Sequence, residues 1–176
     1  MKAFAFLAGV AFVLATSTGC GGGQQGAGSL ETRPLEEARA LEIAAEMLGE
    51  RGFQIEKDVE VKLANETAFA CDYRASGESI ALEYLTEQDR ESMGPVPPAA
   101  PGSRLHVIPA RAASEDPGEQ GESLYVFVLD ERKYLYQYNP TSENRADVTF
   151  LEVDSRLRRD LADFLSWYET NQVEQE

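Results

Sequence analysis

Three patterns in the sequence predict an α+β fold, a mostly antiparallel sheet of about five to seven strands covered by an N-terminal and a C-terminal amphipathic helix. Apolar residues recur at helical spacing over Leu35 to Leu48 and again over Leu157 to Tyr168. Between those stretches the period falls to two. No repeat and no second compositional break divides the chain, so residues 31–171 read as one domain and 172–176 as a disordered polar tail.

The first stripe is Leu35, Ala38, Leu41, Ala45 and Leu48, with Glu36, Glu37, Arg39, Glu46 and Glu50 outside it. Thr32 and Pro34 stand where a helix start wants a cap and a fixed φ, and Gly49 and Gly52 mark the end. Val59, Val61 and Leu63 then alternate with Asp58, Glu60 and Lys62, as a half-buried strand does. Asn65-Glu66 turns the chain into a second strand through Arg74, and Ser76-Gly77-Glu78 turns it into a third, Ile80 to Leu85. Thr86 and Asp89 have capping-box spacing, which predicts a short helix over Glu87 to Met93.

Residues 94–102 read GPVPPAAPG, a stiff surface loop in which neither helix nor central strand can form. Leu105 to Ile108 is a short strand by its apolar content. Residues 113–123 are acidic and free of large apolar groups, and they lack the alternating acidic register of a calcium loop. Leu124 to Leu129 is apolar on both faces and belongs in the middle of the sheet. Asp130 to Lys133 turns into a strand over Tyr134 to Tyr138. Another strand is expected over Val148 to Val153, after which Asp154 caps the closing helix, whose stripe is Leu157, Leu161, Phe164, Leu165 and Tyr168.

Ahead of the domain lies a different kind of segment. Met1-Lys2 is a short positive region, and Ala3 to Ala15 carries no charged or polar side chain. Thirteen apolar residues suit a signal peptide and are too few to span about 30 Å of hydrocarbon. Ser17-Thr18-Gly19-Cys20 resembles the lipobox of bacterial lipoproteins, departing from it at Ser17, where leucine is usual. The resemblance implies cleavage before Cys20, fatty acylation of that thiol, and attachment to membrane lipid in the cell envelope. Gly21 implies the outer membrane, because aspartate there is the familiar inner-membrane retention signal. Residues 20–30 then serve as the lipidated cysteine and a Gly/Gln tether with nothing apolar to bury.

Net charge is −15, and loss of Met1 to Gly19 removes one cation, Lys2, to leave −16. Nucleic acid and anionic headgroups are repelled on average unless a local basic patch exists. Arg156, Arg158 and Arg159 are the candidate patch, but Asp154, Asp160 and Asp163 surround them, as on a solvated helix face. Partners left open are an envelope protein or a glycan. Only four of the sixteen basic residues are lysine.

Catalytic signatures are sparse. The one histidine, His106, and the cysteine left after lipidation, Cys71, offer no zinc spacing, no phosphate loop and no nucleophile elbow, so no cofactor is expected. Phe69, Cys71 and Tyr73 share a strand face, which makes Cys71 a buried thiol. Asp72 and Glu83 fall on adjacent strands, and with Leu85 they resemble the PD-(D/E)xK nuclease pattern, in which two carboxylates bind a divalent metal and a lysine assists water. Leu85 occupies the lysine position, so the resemblance implies no active nuclease; a solvent-facing cross-strand pair is the alternative. Tyr134, Tyr136 and Tyr138 lie on one strand face and can stack a sugar or grip a peptide, or can instead pack beneath a helix. These residues together predict a membrane-anchored binding or interaction module. A carboxylate-dependent envelope enzyme and a purely structural lipoprotein are the rival readings.

Overall fold

A strand that is apolar on both faces needs cover on both. The computed structural model describes residues 31–65, 67–93, 95–113, 121–138 and 148–173. It places Ser123–Asp130 between two layers, with Phe127 and Leu129 in a core shared with the helices and Leu124, Val126 and Val128 in a second core on the other side. Among the described residues the chain runs β1 (Glu31–Pro34), α1 (Glu37–Glu50), β2 (Ile55–Leu63), β3 (Ala68–Ala75), β4 (Ile80–Leu85), α2 (Glu87–Met93), β5 (Val107–Ala112), β6 (Ser123–Asp130), β7 (Leu135–Tyr138) and α3 (Val148–Val173). A 3-10 turn, Glu131–Lys133, joins β6 to β7.

The fold is α+β, as its sequence predicts. Its main sheet closes into a barrel in the order β2-β3-β4-β6-β5. Every pairing in it is antiparallel except β4 with β6, which run parallel from Ile80↔Tyr125 to Leu85↔Asp130. A parallel pair needs a crossover, and α2, the proline loop and β5 supply it. The expected meander is present over β2, β3 and β4, where Gly77 at φ 77° makes the tight turn. The second sheet has two strands, β1 and β7.

Helices α1 and α3 cover one side of the barrel. Phe164 stacks on Phe127 with ring centres 4.4 Å apart and planes 9° from parallel, and Trp167 meets Tyr125 edge-on. Leu157, Leu161, Phe164, Leu165 and Tyr168 are all buried, as their spacing requires. Among the described residues, both cores draw on residues 35 to 168.

Five expectations need correction. Residues 148–153 are helical: Phe150, Val153 and Leu157 continue the α3 stripe backwards, and packing against β7 overrides the β-propensity of Val148, Thr149 and Val153. Asp154 is therefore no cap; it lies inside α3, buried, where it accepts from Arg39 and Arg158. Thr32 and Pro34 belong to β1 rather than to a helix start, because β7 supplies a partner strand that local sequence cannot reveal. The buried face of α1 is Ala40, Ile43, Ala44 and Leu48, so the stripe turns partly around the helix and leaves Ala38 exposed. At the chain's other end α3 takes up Gln172 and Val173 from the expected tail.

The short helix over Glu87 to Met93 forms as its capping box predicts, with Thr86 and Asp89 exchanging hydrogen bonds. Leu105 to Ile108 contributes only Val107 and Ile108 to β5, which continues to Ala112. Residues 1–30, most of 113–123 and the segment 139–147 lie outside the described residues, and with them the expected leader, the expected acylation at Cys20, the expected tether and most of the acidic loop.

Candidate functional site

Two clusters invite a functional reading, one closed and one open. The closed one is the carboxyl pair. β3 loses its ladder at Asp72 on both sides: Asp58 opposite it on β2 sits at φ 53°, and pairing with β4 covers only Tyr73↔Leu82 and Arg74↔Ala81. Side chains fill the gap. The Asp72 backbone N–H donates to the Glu83 carboxyl at 3.3 Å, and Asp72 Oδ2 accepts the Tyr84 backbone N–H at 2.7 Å. Each acid thus stands in for a missing carbonyl of the opposite strand.

Glu83 is 3 % exposed and Asp72 is half-buried, so Glu83 does not face solvent as the sequence alternative had it. Burial, with the charges of Asp72 and Asp89, pushes Glu83 up to about 9. Burial pushes Asp72 to about 6, against the pull of the Tyr84 N–H. Leu85, at the position of the nuclease lysine, is buried in the barrel interior. No group of three or more metal-ligating side chains is gathered among the described residues. These residues do not fit a divalent-metal site, because the carboxyls face backbone donors.

Cys71 is fully buried beside them in the barrel core, and burial first, then the Glu83 and Asp72 charges, push its thiol far up. His106 stands just before β5; its Nε2 meets the Pro97 carbonyl at 2.7 Å and its own carbonyl accepts the Val128 N–H, so it clasps the proline loop onto β6.

The tyrosines form a packed wall. Tyr134 is 2 % exposed and donates its hydroxyl to Asp160 Oδ2 at 3.1 Å. Tyr136 packs edge-on against Phe150, and the Arg33 guanidinium lies 4.0 Å over the Tyr138 ring. Only the half-exposed edges of Tyr136 and Tyr138 are open to contact.

The open cluster lies on the solvent side of that wall. Arg104 from the loop before β5, Arg132 and Lys133 from the 3-10 turn, and Arg156 and Arg159 from α3 line a groove around Asp160. A neighbouring depression shares Arg156 and Arg159 and adds Leu151, Glu152 and Ser155. Arg132 is held by the buried Asp130, where burial raises the carboxyl but the Arg132 and Arg90 bonds outweigh it and keep it low. Arg104 reaches Asp163 at 2.7 Å. Lys133 and Arg156 form no ion pair among the described residues; Arg156 donates to the Lys133 carbonyl. Of the two exposed large apolar side chains among the described residues, Leu151, at 53 %, lines the neighbouring depression, while Leu135, at 43 %, lies on β7, where it alternates with Tyr134 and Tyr136, the side chains that meet α3.

The sequence patch of Arg156, Arg158 and Arg159 is split by the helix. Arg158 points to α1, pairing with Glu46 and Asp154, while Arg156 and Arg159, three apart, share the groove. Helical spacing applied to the arginines would have separated them. Nothing in the sequence adds Arg104, Arg132 and Lys133, which arrive from distant elements.

No family model, curated protein or solved structure matches the chain.

Proposed function

We propose that the chain is an envelope lipoprotein carrying a non-enzymatic interaction module. It is cut before Cys20, acylated on that thiol and anchored in the outer membrane. Its binding surface is the groove formed by Arg104, Arg132, Lys133, Arg156 and Arg159. The observation that carries the reading is the gathering of these cations on one face of a chain whose net charge is −15. Such a face selects a partner of opposite sign. The uncharged run Ala3 to Ala15 and the lipobox-like Ser17 to Cys20 support the anchor.

Enzymatic use of Asp72 and Glu83 has less support, since their acceptor atoms are directed at backbone N–H groups. Replacing Cys20 with alanine tests the anchor. The variant is expected to stay at precursor size and take up no labelled fatty acid, while the unaltered chain runs smaller and partitions into detergent. Unchanged processing in the variant removes the anchor, and separation of the two membranes decides the outer-membrane assignment.

A further inference from the structure

We propose that the groove face lies flat on an anionic phospholipid surface, so that the membrane holding the anchor is also the partner of the binding site. The proposal rests on the lipoprotein reading and names the occupant of the same face.

Position comes first. Glu31 begins the described chain, and ten residues separate it from Cys20. That length reaches no more than about 40 Å even fully extended. β1 leads from Glu31, opposite Tyr138, to Pro34, opposite Leu135, a path of about 10 Å. Lys133 is two residues before Leu135. The point where the tether meets the fold and the basic groove are therefore on neighbouring elements.

Chemistry agrees with position. A headgroup layer takes cations on its phosphates and apolar side chains just beneath them. Lys133 and Arg156 form no ion pair among the described residues, and the exposed Leu151 lines the depression that shares Arg156 and Arg159. A soluble acidic partner would account for the cations but give the exposed Leu151 no apolar layer to enter. The chain's overall negative charge does not cancel the attraction. Screening confines each charge to about 8 Å at physiological salt, so the lipid meets the face and not the whole molecule. Repulsion of the remaining acidic surface then favours one orientation.

The test uses the mature chain from Cys20 with Cys20→Ser, which has no lipid to confuse the reading; its two cores are built from residues 35–168. It is expected to co-sediment with vesicles of phosphatidylglycerol and phosphatidylethanolamine, to leave vesicles of phosphatidylcholine alone, and to detach as salt rises. Lys133→Glu with Arg156→Glu should weaken partitioning at least about tenfold. Leu151→Ser should weaken it at unchanged charge, and equal urea midpoints would establish that all variants fold. Equal binding to both vesicles, or to neither, overturns the proposal, as does indifference to the charge reversals. Release by soluble glycerol phosphate would also overturn it, in favour of a small-anion pocket. Processing at Cys20 is read separately, so the anchor and the docking face fail independently.

Discussion

The two cores are built on opposite rules. On the helix side, large rings interlock: Phe164 on Phe127, Trp167 against Tyr125, Tyr84 beside Tyr134, with tyrosine hydroxyls tied off on the Leu35 carbonyl and on Asp160. The barrel interior is filled by small and aliphatic groups such as Val61, Ala81, Val126 and Cys71, and one strand face brings an acid, Glu83, among them. The contrast separates two sources of stability. The helix side depends mainly on shape and area, whereas the barrel holds a buried carboxyl, Glu83, that patches a broken ladder and whose protonated form burial favours.

The contrast breaks most visibly at Phe164. Phe164→Ala removes the ring at the centre of the helix-side stack, and a loss of about 3–5 kcal/mol in urea titration is expected. A loss under about 0.5 kcal/mol would mean that α3 does not rest on β6.

Next comes the barrel acid. Glu83 and Asp72 both hold their protons more tightly folded than unfolded. The stability they contribute is complete below the ordinary carboxylate range and is lost as pH rises through about 6 for Asp72 and about 9 for Glu83. The protein should lose stability as pH rises from the ordinary carboxylate range to about 9, and Glu83→Gln, which keeps an acceptor for the Asp72 N–H, should flatten that decline by about 2–4 kcal/mol. Parallel pH profiles for the two chains would remove Glu83 from the account.

Cys71 gives the smallest effect. Cys71→Ser places a hydroxyl in an apolar interior and should cost about 1–3 kcal/mol, and a thiol reagent should reach Cys71 only after denaturant is added. Fast labelling of the native domain would show that the barrel opens locally.

How far sequence reaches follows the range of the interactions. The capping box of Thr86 and Asp89 and the two-faced strand around Val126 are local patterns, and both are realised; the expected shared face of Phe69, Cys71 and Tyr73 is divided, with Phe69 and Cys71 in the barrel core and Tyr73 in the core under the helices. Residues 148–153 mislead because three β-branched side chains outweigh, over six residues, a helical stripe that needs the next ten to be visible. Barrel closure rests on the parallel pairing of β4 with β6, some 45 residues apart, and no local pattern encodes it. The carboxyl pair was placed on the right strands, but its burial depends on the ladder breaking at Asp58 and Asp72. The groove was half legible: α3 announced its arginines, while the turn and loop that complete it arrive only through folding.

The pairing of β1 with β7 has a mechanical consequence. Any pull on the N-terminal side of the domain arrives first at Glu31, on a four-residue strand exposed at every position. Its rungs can open one after another from Tyr138 toward Leu135 without disturbing the barrel. Peeling stops at Leu35, whose side chain is 1 % exposed and whose carbonyl holds the Tyr84 hydroxyl. The strand is a fuse ahead of a rivet: it yields about 13 Å of slack before any load reaches the cores.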